Sequence, residues 1–259
     1  MRLFKDLYQY RELLKSNVKK DVRGKYKGSF LGVLWSFVSP LLMTLVYAIV
    51  FPFLMRGAGY AHYTTFLIIG ILPWTWFTTC ISQGTYCILM NGGIIKKVYF
   101  PREILPISIV TSGMINFLIS CIVIFLFVLF SGIGFHWYLV FIPLVIITQY
   151  LFQLGIIFIT SAINVYIRDL EYIINFLVQM MFYATPILYS MEFFKGTFIG
   201  SLIQLNPMTT IINCYRDILY WGSMPHILSL LVVMGGSLVL CFIGLNVFRK
   251  LSKGFAEEI

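Results

Sequence analysis

Residues 104–167 read ILPISIVTSGMINFLISCIVIFLFVLFSGIGFHWYLVFIPLVIITQYLFQLGIIFITSAINVYI, 64 residues without one Asp, Glu, Lys or Arg. A bilayer core about 30 Å thick is crossed by about 20 helical residues. The stretch is therefore long enough for two crossings, Ile104–Phe130 and Trp137–Ile167. Outward from it, Gly28–Met55, Gly57–Ile95 and Ile218–Phe248 are equally free of charge. Of the 259 residues, 59% are hydrophobic and only 11% charged, where a soluble domain carries about a quarter charged residues. That composition excludes a soluble enzyme, a nucleic-acid binder and a disordered tail. The expected fold class is all-α, a polytopic membrane protein.

Hydropathy predicts six transmembrane helices: Phe30–Met55, Tyr63–Met90, Ile104–Phe130, Trp137–Ile167, Tyr172–Tyr189 and Ile227–Phe248. The net charge of +9 then becomes a topological signal, because Lys and Arg are retained on the cytoplasmic side. With the N-terminus inside, 16 of the 19 basic residues fall in cytoplasmic segments, and only Arg56, Lys195 and Arg216 fall outside. Both termini are expected in the cytoplasm.

Residues 1–27 form the first predicted unit and 28–259 the membrane domain. Leu3, Phe4, Leu7, Tyr8, Leu14 and Val18 recur at helical spacing among Lys5, Arg11, Lys15 and Lys19. Such a basic amphipathic helix lies in the headgroup plane; a solvated helix packed on a partner subunit is the alternative. The segment has no uninterrupted apolar core or cleavage site and is not read as a signal peptide. The segment 190–225 is largely apolar, yet Asn206-Pro207 is a helix start, with Asn as cap and Pro at the first position. Two short helices about a polar turn predict an external re-entrant hairpin, allowed at membrane depth where protein covers its backbone ends. An interfacial helix lying flat is the alternative.

Catalytic and metal signatures are absent. The only Lys followed by Ser or Thr is Lys15, with no glycine before it, so there is no phosphate-binding loop. His62, His136 and His226 sit apart near predicted external span ends, without metal spacing. The five cysteines lack a C-x-x-C pair and read as small apolar residues. No ionisable residue lies mid-span, which argues against an ion-coupled carrier. Energy is expected from a separate ATPase subunit that binds ATP and Mg, with no cofactor in this chain. The loop 91–103 (NGGIIKKVYFPRE) offers apolar and basic side chains to such a partner, although a positively charged membrane-edge turn has the same composition.

The chain also resembles a family. Gly28-Ser29-Phe30-Leu31-Gly32-Val33-Leu34-Trp35 with Pro40, Gly70 with Pro73-Trp74 and Phe77, and Lys96-Lys97-Val98-Tyr99-Phe100-Pro101-Arg102 with Leu105-Pro106 are similar to the permease subunits of polysaccharide-exporting ATP-binding-cassette transporters. So are Arg168-Asp169, Thr185-Pro186-Ile187-Leu188-Tyr189, and Asn206-Pro207 with Tyr215-Arg216. These are the exporters of O-antigen, capsule and wall teichoic acid. The ordered set runs from about residue 20 to 250.

The resemblance implies a homodimer above two copies of the ATPase, no catalysis by this chain, and a lipid-linked glycan on undecaprenyl diphosphate as substrate. It implies a coupling helix with Ile94, Ile95, Lys96, Lys97, Tyr99, Phe100, Pro101 and Arg102 on the ATPase, and a second cytoplasmic contact at Arg168, Asp169 and Glu171. Lys19, Lys20, Arg23, Lys25 and Lys27 suit a diphosphate headgroup near the membrane surface. Trp35, Phe37, Tyr47, Trp74, Trp76, Phe77, Phe182 and Tyr183 are candidates to line a glycan channel, since aromatic faces suit sugar C–H groups. Asn206, Pro207, Arg216 and Asp217 belong to the hairpin, where Arg216 and Asp217 are expected to pair with each other or across chains. A small-lipid or drug exporter of the same superfamily is the nearest rival. A membrane-embedded glycan- or lipid-modifying enzyme is a more distant one.

Overall fold

Backbone in hydrocarbon must satisfy its own N–H and C=O groups, and for long apolar runs the helix does so within one segment. The computed structural model describes residues 8–24, 35–54, 62–194 and 196–259, and no strand forms among them. In chain order the helices are α1 (Arg11–Gly24), α2 (Trp35–Leu54), α3 (Tyr63–Met90), α4 (Gly92–Ile95), α5 (Ile104–Phe130), α6 (Ile142–Tyr166), α7 (Leu170–Ala184), α8 (Phe198–Leu205), α9 (Pro207–Leu219), α10 (Ile227–Leu251) and α11 (Phe255–Glu258). Tight 3-10 turns at Trp137–Phe141, Met191–Phe194 and Ser252–Gly254 join several of them.

Four helices are long and apolar enough to cross a membrane: Tyr63–Met90, Ile104–Phe130, Trp137–Tyr166 and Ile227–Glu258. The α2 helix adds 20 residues without a charge. The expected fifth span, Tyr172–Tyr189, is instead a helix of 15 residues ending at Ala184, which rises only about 22 Å. Beyond it, residues 185–190 leave helical geometry but stay largely buried, so the apolar run continues after the helix has stopped.

The α3 helix is the axis of the bundle. Of its most apolar window 78% is buried, against 17% for the last span, and it packs on α2, α5, α6, α7 and α9. Lipid tails are as apolar as the helices, so association relies on close packing at small residues. The α6–α10 contact shows this. A Cβ on Gly155 would stand 2.8 Å from the backbone nitrogen of Cys241, and one on Gly244 would stand 2.6 Å from the carbonyl of Gly155.

At the end of the bundle that carries residues 91–103, the chain's last residues fold back over the loop. Arg249 Nε donates to Glu103 Oε1 at 2.9 Å, Arg102 donates to the carbonyl of Ser252, and Tyr166 Oη donates to the carbonyl of Leu251 at 2.8 Å. Phe255 is fully buried against Phe248 and Tyr166. The α1 helix packs on α5, with Leu13 and Leu14 against the core and Lys15, Lys19 and Lys20 outward. Residues 1–7, Lys25, Lys27, Arg56 and Lys195 lie outside the described residues, as do the side chains of Arg23 and Phe37.

Candidate functional site

Between α2, α3 and α7 lies a groove of about 720 Å³. Part of its lining is aromatic. Tyr47 stacks on Phe182 at 6.0 Å between centroids, Trp74 lies 6.0 Å from Phe182, and Tyr183 meets Phe182 edge-on at 5.3 Å. Polar side chains continue along the same helices, Thr75, Thr78 and Ser82 on α3 and Asn175 and Gln179 on α7; Ser82 Oγ donates to Asn175 Oδ1 at 2.6 Å. Flat apolar faces beside uncharged hydrogen-bonding groups suit a ligand rich in hydroxyls.

Four of the eight expected channel aromatics thus meet here: Tyr47, Trp74, Phe182 and Tyr183. Trp76 and Phe77 do not. Trp76 stacks on Phe117 at 4.9 Å and Phe77 on Phe152 at 5.9 Å, both inside the core. Each helical residue turns about 100°, so neighbours of Trp74 in sequence face α5 and α6 instead. Trp35 is 40% exposed at the start of α2, and the side chain of Phe37 lies outside the described residues.

The expected coupling segment divides in two. Ile94, Lys96, Lys97 and Tyr99 are exposed, whereas Ile95 and Phe100 are buried. Pro101 follows them. Arg102 turns inward to Ser252 and lies 5.7 Å from the ring of Phe255. The helix expected here is the single turn Gly92–Ile95, and the segment that follows it is held at Arg102 and Glu103 by Ser252 and Arg249, a contribution that nothing local in the sequence signals. Beside it, Lys20 of α1 and Lys97 share a cleft of about 340 Å³ with Asn91 and Gly93. Lys19 is exposed nearby in sequence. Burial raises the Asp21 carboxyl above its ordinary range, partly offset by Lys20. Arg168 and Asp169 are exposed at the start of α7 and Glu171 is half-buried; no ion pair joins these three among the described residues.

At the other end, Asn206 caps α9. Its Oδ1 accepts from the Met208 N–H at 3.0 Å and its Nδ2 donates to Thr185 Oγ1 at 2.9 Å. The cap signal in the sequence therefore also ties α9 to the break after α7. Pro207 opens the helix at its first position. Arg216 and Asp217 have different surroundings, as adjacent helical residues do not face one another. Arg216 is 2% exposed. Its guanidinium donates to the carbonyls of Pro186 and Ile187, the latter at 2.6 Å, and lies 3.6 Å from the centroid of Phe66. Tyr63 Oη donates to the carbonyl of Leu188 at 2.8 Å. Asp217 sits by His226, and burial pushes its carboxyl up to about 6, with His226 opposing.

Long apolar helices around a groove define a helical membrane protein. Residues 12–220 match the family described as ABC-2 type transporter. The chain is 35% identical over 260 residues to the O-antigen export system permease protein RfbA of Myxococcus xanthus, with both chains covered in full. Two proteins of that name from Klebsiella pneumoniae are 37% and 36% identical over 249 residues, covering 95% of this chain and 94% of each relative. This multi-pass membrane protein belongs to the ABC-2 type transporter family.

Proposed function

We propose that this chain is the membrane-spanning subunit of an ATP-driven exporter of cell-surface polysaccharide, carried as a glycan on undecaprenyl diphosphate from the cytoplasmic to the outer face. Two copies stand over two copies of a separate ATPase. Full-length similarity to O-antigen export permeases supports the substrate class. The observation that carries the reading is the groove lined by Tyr47, Trp74, Phe182 and Tyr183 together with Ser82, Asn175 and Gln179.

In this reading α2 and α7 complete six spans, and the groove of each copy faces the other to enclose the glycan path. The α1 helix lies at the membrane surface with Lys19 and Lys20 toward headgroup phosphates. The exposed residues Ile94, Lys96, Lys97 and Tyr99 meet the ATPase, with Arg168 and Asp169 as a second contact, and ATP and Mg are bound there rather than here. The α8 and α9 helices form a re-entrant hairpin at the outer face, supported by the packing of α9 on α3 and α6, in keeping with the rule that irregular backbone at membrane depth is covered by protein.

Depletion of the protein is expected to leave lipid-linked glycan on the inner face, read by labelling surface glycan against total glycan. Normal surface display in depleted cells would refute the reading. Glycan display that is normal alongside hypersensitivity to apolar drugs would point to the rival small-molecule exporter. In the purified complex with its ATPase, Tyr99→Ala is expected to lower hydrolysis severalfold, and unchanged hydrolysis and assembly would remove residues 94–99 from coupling.

A further inference from the structure

One seam inside the bundle is only half paired. On α6, Gln149, Gln153, Thr160 and Asn164 share one face, at about 3.6 residues per turn, and all four are buried. Two of them are satisfied against α3. Gln149 Nε2 donates to the Pro73 carbonyl at 2.9 Å, and the hydroxyls of Thr160 and Thr85 hydrogen-bond at 2.9 Å. Between these rungs Ile157 fills the notch at Gly84, where a Cβ would stand 2.6 Å from it. The contacts advance together along both helices, so α3 and α6 run parallel. The other two residues are not satisfied. Neither the amide oxygen nor the amide nitrogen of Gln153 or of Asn164 has a hydrogen-bond partner among the described residues, and all four atoms are closed to water. The Ser161 hydroxyl is in the same state.

Buried amides that make no bond are costly, and apolar side chains would serve a bundle whose helices meet by close packing. The position of the unpaired groups is systematic. Gln153 lies four residues beyond Gln149, Ser161 four beyond Ile157, and Asn164 four beyond Thr160. Each is one helical turn along α6 from a group that is engaged. A slip of α3 by one turn, about 5.4 Å, toward the end that carries residues 91–103 would set Gln153 at the Pro73 carbonyl, Ser161 at the Gly84 notch and Asn164 at Thr85. Gln149 would not be stranded by that slip. It would come level with Ile69, whose carbonyl receives no helical N–H because the residue four further on is Pro73. One-turn displacement of one packed element past another is a known form of switching.

We propose that the α3–α6 seam has two registers, the present one and one a turn further on, and that α3 shifts between them as the ATPase binds nucleotide. The α3 helix is the one placed to be driven, because it runs directly into Asn91 and the turn Gly92–Ile95. It reaches the ties at Arg102 and Glu103 only through residues 91–101, which leaves it free to move against α6 and α10. Trp74, next to Pro73, travels with it along the groove. The proposal rests on the ATP-driven reading and adds to it how the coupling loop moves a groove residue.

Paired cysteines in the complex with its ATPase, in lipid nanodiscs, test it. Thr85→Cys with Thr160→Cys reports the present register, since hydroxyls this close bring the Cβ atoms within disulfide reach. Thr85→Cys with Asn164→Cys reports the slipped one, and each single variant, which keeps the native cysteines, sets the background. Under copper-phenanthroline oxidation the 85–160 bond is expected to dominate without nucleotide and the 85–164 bond to gain about fivefold with ATP and vanadate. Gln153→Leu, added to each pair, removes a partner used only in the second register. It is expected to leave the 85–160 yield and the nucleotide-free melting temperature unchanged or higher, and to cut the 85–164 yield severalfold; a merely structural glutamine would leave that yield intact. An 85–164 bond that never exceeds background overturns the proposal, as does a ratio of the two bonds that ignores nucleotide. A nucleotide-dependent exchange in a protein whose depletion leaves glycan display normal keeps the two registers and removes the glycan reading alone.

Discussion

Arg216 reaches out of α9 to a stretch of buried backbone that has no helix to satisfy it. Pro186 and Ile187 offer carbonyls, and the guanidinium supplies several donors in a fixed plane over the Phe66 ring. Gly70 makes room: a Cβ there would lie 2.8 Å from the guanidinium. Arg216→Ala should therefore cost about 3 kcal/mol, a drop of about 6–12 °C in a detergent melt, and Arg216→Lys should recover less than half, as an ammonium lacks the fork. Asp217, beside it in sequence, behaves oppositely. Its folded carboxyl titrates near 6 rather than 3.8, so folding favours the protonated form. The burial penalty is present above about pH 6 and is relieved as pH falls toward 4. Relative to Asp217→Asn, the wild type should gain about 1 kcal/mol between pH 7 and pH 5, discounted for its partial exposure; an equal change in both proteins would remove Asp217 as the cause.

Helices pack here by notches rather than by bulk. Gly155→Val would drive a side chain into the backbone at Cys241, and Gly244→Leu would strike the carbonyl of Gly155. Each is expected to lower the melting temperature by several degrees, whereas Gly236→Ala, with open space around its Cβ, should shift stability by no more than about 1 kcal/mol. The long spans were legible because charge is excluded from hydrocarbon, and the start of α9 was legible because Asn-Pro is chemically a cap. The end of α7 was not. Hydropathy senses burial, and residues 185–188 are buried beside Arg216 and Tyr63 although they are not helical. The groove was half legible for a related reason: aromatic residues cluster in sequence on α3, but only Trp74 of that cluster faces α2 and α7. The contribution of residues 249–259 to the loop 91–103 had no local signal, as Arg102 and Ser252 are 150 residues apart.

Taken whole, the molecule is tied at one end by side chains far apart in sequence. The loop 91–103 is tied to 249–259 by Arg249–Glu103, by Arg102 and by the Phe255 ring, while the groove opens between α2, α3 and α7. Phe255→Ala should loosen that tie without touching the exposed coupling residues. Its expected effect is normal assembly with the ATPase but weaker substrate stimulation of hydrolysis, and unaltered stimulation would mean that the tie is not transmitting. The same long-range closure also bears on how the chain is made. The notch at Gly155 has its partner, Gly244, 89 residues further along. At roughly 5–20 residues per second the ribosome needs about 4–18 s to supply it. During that interval α6 stands in the bilayer with its docking face empty, so the order of synthesis, and whatever shelters a half-made bundle, belongs to the folding of this protein as much as the contacts it ends with.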